Sequence, residues 1–178
     1  MKKDRVIIID ADKCVGCRSC EAICSAFHAE PKYSIVNPRR SRIRVFCDED
    51  NNVFVPVIAG PYTDAECNGK NLTVINGKEY CECIFCRASC PSRDLFREPD
   101  TDIPLKCDMC GEPPPPEPMC VKWCLSGALT FIEREREEGE EVRKRGPNFV
   151  VTAYNVEAED IRKTLQDAGV TVRSVEAI

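Results

Sequence analysis

The sequence predicts an α+β fold in which short strands and helices surround sites that cysteine side chains hold together. Three observations support this prediction. The 178 residues include 14 cysteines, far above ordinary usage, which indicates disulfides, bound metal or redox cofactors. The apolar fraction is 43%, but only 7% of the residues are aromatic, which is little for a conventional hydrophobic core. The apolar runs are short and are separated by turn residues, as short strands are.

The N-terminal residues and the charge narrow the class of protein. The apolar run at residues 6–9 is too short for the apolar part of a secretion signal and is typical of a buried strand. No stretch approaches the roughly 20 apolar residues of a membrane span. We therefore expect no direct membrane span and a location in the reducing cytoplasm, where disulfides are rare. The net charge is −5 without a basic stripe, so nucleic acid is not an expected partner.

The predicted elements follow one another as short strands and turns. Residues 5–10 and 35–46 are predicted to be strands, and a turn at 48–52 leads to a further strand at 53–58. Asn76 and Gly77 predict a hairpin turn ahead of the second group of cysteines. Four prolines at residues 113–116 predict a rigid loop inside the third group.

The end of the chain contains no cysteine and predicts a small α/β extension. Residues 149–156 are typical of a strand, 156–169 of a helix that ends at Gly169, and 170–178 of a final strand. We therefore divide the chain into a cysteine-rich domain at 1–132, a charged linker at 133–147 and an extension at 148–178. The extension either covers one of the cysteine sites or docks onto another subunit.

The first group of cysteines, at 14–24, has the spacing of an iron–sulfur ligand run. It consists of Cys14, Cys17, Cys20 and Cys24, in the order C-x2-C-x2-C-x3-C of bacterial two-cluster ferredoxins. Three closely spaced thiolates can bind three corners of one cubane cluster, whereas a cysteine on the following helical turn points to a second cluster. Structural zinc is the alternative, although zinc sites typically combine paired C-x2-C units.

The third group, at 107–124, repeats this pattern with a longer insertion. It consists of Cys107, Cys110, Cys120 and Cys124, in the order C-x2-C-x9-C-x3-C. Reciprocal ligation then predicts two [4Fe-4S] clusters. The first takes Cys14, Cys17, Cys20 and Cys124, and the second takes Cys24, Cys107, Cys110 and Cys120. Because neither group holds a complete ligand set, we expect folding to be coupled to cluster insertion.

The middle group, at 81–90, departs from the regular spacing by one residue. It consists of Cys81, Cys83, Cys86 and Cys90, in the order C-x-C-x2-C-x3-C. Two cysteines one residue apart do not readily face the same cluster, so the isolated Cys67 is a candidate to complete the set. Four of these five cysteines are predicted to bind a third [4Fe-4S] cluster, and a zinc site is the alternative. Fourteen cysteines fill at most three sites of four thiolates, so the sequence predicts three clusters.

Three residues near the groups have roles that the sequence leaves open. Cys47 is either an ordinary thiol or a further ligand, and His28 either packs plainly or donates a hydrogen bond to a cluster. Trp123 is expected to pack around a cluster. The sequence has no phosphate loop or G-x-G-x-x-G motif, and its single histidine excludes a multi-histidine metal site. We therefore expect electron transfer, with no catalysis by this chain itself.

The cysteine segments resemble a known family. KCVGCRSCEAICSAFH and LKCDMCGE, followed by PMCVKWCLSGALTF, are similar to the ferredoxin-like electron-transfer subunits that accompany molybdopterin and tungstopterin enzymes. The resemblance covers residues 5 to about 132 and implies a pseudo-twofold double bacterial-ferredoxin-like fold with insertions. Family members usually carry four motifs and four clusters. Here Ala59 and Tyr62 stand at two ligand positions of the second motif, which keeps only Cys67.

With its reduced set of motifs, the chain resembles the small subunits of tungsten-dependent benzoyl-CoA reductases. The resemblance implies a larger catalytic subunit that holds a tungsten or molybdenum pterin, and a further redox protein such as a ferredoxin. This chain would relay electrons between the two. Electron-transfer subunits of carbon monoxide dehydrogenases, hydrogenases and molybdopterin reductases are alternatives of the same class. A zinc-binding interaction module is the alternative from another class.

Overall fold

The computed structural model describes residues 3–59, 72–75, 78–81, 95–101, 104–111, 115–135, 149–152 and 157–167. In these ranges the chain has the predicted α+β composition of short elements. The strands are β1 (Lys3–Asp10), β2 (Ile43–Asp48), β3 (Val53–Ile58), β4 (Leu72–Ile75), β5 (Lys78–Cys81), β6 (Leu129–Glu135) and β7 (Phe149–Thr152). The helices are α1 (Ser19–Phe27), α2 (Met119–Lys122) and α3 (Ala158–Asp167), with short 3-10 turns at Ala11–Lys13 and Pro38–Arg40.

Strand β1 is the centre of a three-stranded sheet. It pairs antiparallel with β6, where Ile7 faces Phe131, and parallel with β7, where Ile7 faces Phe149. Ile7 and Ile9 point to the same face of this sheet, and both are fully buried there. The pairing places the first residues of the predicted extension on the same sheet as the N-terminal strand.

The second sheet is the antiparallel pair β2 and β3, and it corrects one predicted boundary. The strand predicted at 35–46 begins only at Ile43. Asn37 accepts a hydrogen bond from the backbone N of Arg39 at 3.1 Å, and Pro38 then starts the 3-10 turn. A proline with fixed φ and a capping side chain therefore outweigh the β-branched residues that favoured a strand.

The hairpin predicted near residues 76 and 77 is confirmed by the pairing of β4 with β5, in which Ile75 faces Lys78. The two turn residues themselves lie outside the described ranges. The helix predicted at 156–169 is observed as α3, whereas the predicted end at Gly169, the strand at 170–178 and most of the charged linker lie outside these ranges. In the described part of the chain, no helix has the length and apolarity needed to cross a membrane.

The main hydrophobic core contains cysteines as well as aliphatic residues. Apolar side chains from β1, β2, β3 and β6 pack there with Cys20, Cys24 and Cys120. Helix α1 is tied to β2 by Glu21, whose buried Oε1 accepts a hydrogen bond from the backbone N of Val45 at 2.6 Å. The elements that carry cysteines are thus fixed by the same core that the strands build.

Helix α3 covers the second sheet. Its Ile161 and Leu165 are buried with Val53 and Val55 in a separate apolar cluster. The two helix residues lie one turn apart and so present one apolar face to the strands. Part of the predicted extension therefore packs on β2 and β3 in the described structure.

Replacing Ile161, which is 2% exposed, by Ala should lower the free energy of unfolding by about 2 to 5 kcal/mol, because a buried cavity replaces the side chain. Thermal and denaturant unfolding under anaerobic conditions measure this loss. Arg162→Ala, at the neighbouring exposed position, is the matched control and should change the value by less than about 0.5 kcal/mol. Equal effects of the two variants would contradict the packing of α3.

Candidate metal centres

Two helices contribute cysteines in opposite order. Helix α1 carries Cys20 and Cys24 one turn apart, so both lie on the same face. Helix α2 carries Cys120, and Cys124 follows one turn later, just beyond its end. The two helices pack against each other. This arrangement creates two neighbouring sites. Cys20 of α1 and Cys124 line the first site, and Cys24 of α1 and Cys120 of α2 line the second.

The first site is a small pocket that opens to solvent. Apolar residues such as Val45 and Leu129 form its inner wall. The cysteines in its lining are Cys14, Cys17, Cys20 and Cys124. They are the four residues that the sequence assigns to the first cluster.

The second site is a small pocket with a matching set of thiols. The cysteines in its lining are Cys24, Cys107, Cys110 and Cys120, as the sequence assigns them to the second cluster. Two backbone groups already point at these sulfurs: the N–H of Arg42 donates to Cys24 Sγ and that of Met119 to Cys110 Sγ, each at 3.3 Å. Hydrogen bonds of this kind stabilise negative charge on sulfur.

The thiols surround volumes and do not meet at a point. In the described ranges, no three His, Cys, Asp or Glu side chains are placed to hold a single metal ion. Soft thiolate ligands suit iron–sulfur clusters and zinc, and a set of four around a cavity fits the donor set of a cubane. The residues present therefore fit iron–sulfur clusters at both sites.

The ligand loops have unusual backbone conformations. Gly16 and Arg18 have positive φ in the first loop, and Met109, Cys110 and Gly111 have positive φ in succession in the second. For non-glycine residues this region costs roughly 1–2 kcal/mol each. The second loop is held by Arg5, whose Nη1 donates to the Met109 carbonyl at 3.1 Å and whose Nη2 donates to the Pro115 carbonyl at 2.7 Å. Side chains from β1 thus stabilise a backbone shape that the loop alone does not favour.

Burial makes most of these thiols hard to ionise. It raises the pKa of Cys20 and of Cys107 to about 12, and that of Cys120 well above its ordinary value. Cys17 differs from these thiols: the neighbouring Ser19, whose Oγ lies 3.5 Å from the Cys17 Sγ, lowers its pKa. Without metal, the buried thiols keep their protons at neutral pH, so metal binding has to release them.

His28 connects the two cysteine segments beside the second cavity. Its Nδ1 lies 2.8 Å from the Cys24 carbonyl and its Nε2 lies 3.1 Å from Asp108 Oδ1. The same Oδ1 accepts a hydrogen bond from the backbone N of Cys110 at 3.1 Å. Both ring nitrogens face oxygen acceptors, an arrangement that the imidazolium form satisfies with two donors. His28 is therefore neither a plain packing residue nor a surface residue, because it bridges the first and third motifs.

Arg42 also lines the second cavity, and sequence reasoning missed it. Its Nε and Nη1 are buried and, within the described ranges, have no hydrogen-bond partner. Unpaired N–H donors of a cation in the cavity wall favour an anionic occupant. Arg42 stands 18 residues from Cys24 and carries no motif signal, because only the fold of the loop before β2 brings the two together.

The remaining candidates lie elsewhere. Cys47 is partly buried beside the core and lines neither cavity, and the nearest Arg18 nitrogen is 3.7 Å from its sulfur. Trp123 caps the C-terminus of α2 and is 50% exposed, and its packing around a cluster stays a prediction. Cys81 is the last residue of β5. The other cysteines assigned to the third cluster lie outside the described ranges, namely Cys67, Cys83, Cys86 and Cys90.

Curated relatives of the chain are electron carriers. No family model matches it. The polyferredoxin-like subunit of an aliphatic sulfonate oxidoreductase from Pyrococcus furiosus is 31% identical over 135 residues, covering 66% of this chain and 70% of the relative. The putative electron transport protein YsaA of Escherichia coli is 29% identical over 157 residues, covering 80% and 98%. The thiosulfate reductase electron transfer subunit PhsB of Salmonella typhi is 26% identical over 151 residues, covering 75% and 78%.

Solved structures give a higher identity. A chain of the active-site complex BamBC of benzoyl-coenzyme A reductase with benzoyl-CoA is 62% identical, with a TM-score of 0.56, covering 76% of this chain and 83% of that one. A chain of the same complex as isolated is 59% identical, with a TM-score of 0.58, covering 80% and 85%. Ferredoxin-like relatives and the cysteine content together indicate iron–sulfur clusters. The chain therefore belongs to the family of ferredoxin-like electron-transfer subunits that serve molybdopterin and tungstopterin oxidoreductases.

Proposed function

We propose that this chain is the electron-transfer subunit of a tungsten-dependent benzoyl-CoA reductase and carries three [4Fe-4S] clusters. The observation that supports this most directly is the 62% identity to a chain of the benzoyl-coenzyme A reductase active-site complex. The catalytic partner is a larger tungstopterin subunit of the aldehyde:ferredoxin oxidoreductase family. A further redox protein such as a ferredoxin exchanges electrons with this chain. We place the assembly in the cytoplasm, because thiolate ligands require reducing conditions.

The cysteines of the two cavities are assigned to two separate clusters of an electron relay. In this proposal the first cluster is held by Cys14, Cys17, Cys20 and Cys124, and the second by Cys24, Cys107, Cys110 and Cys120. Each cluster supplies a reversible one-electron acceptor. Cys20 and Cys24 lie one helical turn apart, so the two sites are close neighbours. The aliphatic core around them limits access of water, which together with hydrogen bonds to sulfur sets the reduction potentials.

The third cluster rests on the count of cysteines. Eight cysteines fill the first two sites, and four of Cys67, Cys81, Cys83, Cys86 and Cys90 fill the third in this proposal. Cys47 is then an ordinary thiol, in keeping with its place outside both cavities. One member of the middle set is likewise left without a cluster.

Anaerobically purified protein should contain about twelve iron and about twelve sulfide per chain, as three cubanes require. Cys124→Ser should remove the signal of one cluster from the electron paramagnetic resonance spectrum, because it deletes a ligand of the first site. Cys47→Ser is the matched control and should leave the metal content unchanged. Zinc without sulfide would contradict the proposal and support the zinc-binding module.

Gly16→Ala should impair loading of the first site. Gly16 has φ of +66° in the loop between Cys14 and Cys17, and an added Cβ would lie 2.6 Å from Phe54 Cδ1. Gly127→Ala is the matched control, since φ is +69° there and no atom lies within 4 Å of the added Cβ. Both variants strain the backbone, but only Gly16→Ala should lower iron content, with about 1–3 kcal/mol of further destabilisation from the clash. Equal iron contents would show that the close approach of Phe54 is unimportant.

We infer an apolar face beside the first cavity from three large exposed residues that neighbour its cysteines in the sequence. Val15, Trp123 and Leu125 are 63%, 50% and 89% exposed, and each lies within two residues of a cysteine of the first site. The exposed cations Arg18 and Lys122 flank this face. Large exposed apolar residues mark interaction sites, and an electron has to leave where a cluster approaches the surface. We assign this face to the catalytic subunit, in line with relatives that are subunits of larger oxidoreductases.

Leu125→Glu should weaken co-purification of the catalytic subunit by roughly tenfold, or about 1.4 kcal/mol, because it buries a carboxylate in an apolar interface. Affinity purification from the native host, with quantification and identification of the partner by mass spectrometry, measures this change. Val36→Glu is the matched control, since Val36 is 58% exposed and lines neither cavity. Loss of the partner with Val36→Glu alone would place the interface elsewhere, and a hydrogenase or carbon monoxide dehydrogenase partner would overturn the assignment to benzoyl-CoA reductase.

A further inference from the structure

The two cavities differ in the charged side chains that line them. Among the described residues, the first cavity has one charged lining residue, Arg18, which is exposed and directed to the sulfur of Cys47. The second cavity is lined by Arg42, Asp108 and His28. Charge placed in a poorly solvated wall acts on a cluster far more strongly than charge in water. The second site therefore has the stronger local field.

The main chain of Arg42 is fixed on both sides. Its N–H donates to Cys24 Sγ at 3.3 Å, and its carbonyl accepts a hydrogen bond from the backbone N of Ala59 at 2.9 Å. The preceding residue, Ser41, is fully buried and bonds the carbonyl of Ile43 at 2.7 Å. This anchored backbone keeps the base of the Arg42 side chain beside a predicted ligand of the second cluster.

Asp108 does not serve as the partner of Arg42. Its Oδ1 is shared between His28 Nε2 and the backbone N of Cys110, each at 3.1 Å. The Asp108 carboxylate therefore has His28 as its side-chain partner among the described contacts. The Arg42 guanidinium, with two buried nitrogens that lack hydrogen-bond partners in the described ranges, is the permanent positive charge in the lining of the cavity.

We propose that Arg42 is the counter-charge of the second cluster and raises its reduction potential relative to a site without such a cation. The inference rests on the proposed function, because it needs a cluster on Cys24, Cys107, Cys110 and Cys120. Reduction transfers one electron from a reduced donor protein to the cluster and adds one negative charge to the cavity. A fixed cation stabilises the reduced form more than the oxidised form. Arg42 thereby favours the second site as the one that retains the electron.

The test is a redox titration of the intact complex, with dithionite as reductant and each cluster followed by electron paramagnetic resonance. The signal of the second cluster is the one that Cys107→Ala, which removes a ligand of that site, abolishes. Arg42→Gln should make that cluster at least tenfold harder to reduce, which is about 59 mV for one electron. Arg42→Lys should keep most of the effect of the charge. Arg39→Gln, an exposed arginine three residues earlier that lines neither cavity, is the matched control and should change nothing.

The outcomes separate this inference from the proposed function. Full iron content with an unchanged potential in Arg42→Gln overturns the counter-charge and leaves the relay intact. Absence of any cluster signal that depends on Cys24 and Cys107 in the unmodified chain overturns the function itself. If Arg42→Gln does not retain the second cluster, the Arg42→Lys variant distinguishes a role of the charge from a role in packing. Retention of the cluster in Arg42→Lys supports the counter-charge, whereas loss of the cluster in both variants assigns Arg42 a packing role. Asp108→Asn is an independent test. It removes a negative charge from the lining of the second cavity and should raise the reduction potential of the second cluster.

Discussion

The exchange of one cysteine between two packed helices is the constraint on which the other features of the molecule depend. Helix α1 supplies Cys20 to one cavity and Cys24 to the other, while the segment around α2 supplies Cys124 and Cys120 in the reverse order. For both cavities to close, the helices have to lie in one relative position. The antiparallel pairing of β1 with β6, which directly flank the two segments, establishes that position. The hydrophobic core and the ligand sites are therefore one structure, since the same cysteines belong to both.

Electrostatics then decides what the cavities can hold. Thiols buried this deeply do not ionise without compensation, and burial raises the pKa of Cys24 and Cys110 as it does that of their neighbours. Compensation comes partly from backbone N–H groups on sulfur and partly from Arg42. The rest has to come from metal, whose positive charge makes thiolates stable inside a core. The core disfavours free thiolates and favours metal-bound thiolates. The metal-loaded protein is therefore the more stable form.

The sequence predicted the parts of this arrangement that depend on local geometry. A spacing of three or four residues fixes which cysteines share a loop or a helix face. The exchange of Cys24 and Cys124 between the two segments was predicted from the ligand pattern of two-cluster ferredoxins and not from local geometry. Two contacts between segments that are distant in the sequence were not predicted. The contact of Arg42 with Cys24 requires the loop before β2 to fold back on α1, and the bridge from His28 to Asp108 joins residues 80 positions apart. The predicted start of β2 was wrong for a local reason. Asn37 and Pro38 together favour a 3-10 turn, which a prediction from the apolar pattern does not take into account.

The strand order also bears on how the protein is made. Strand β1 precedes the other described elements, but both strands that pair with it, β6 and β7, lie beyond residue 128. During translation, the sheet cannot form until residues 129–152 have left the ribosome. The first cysteines emerge long before Cys107 and Cys120 exist, and over that interval they are unliganded thiols that oxidants can reach. Metal delivery therefore has to follow synthesis, and a cell that makes this protein has to keep an unfinished, thiol-rich chain reduced until its last strands arrive.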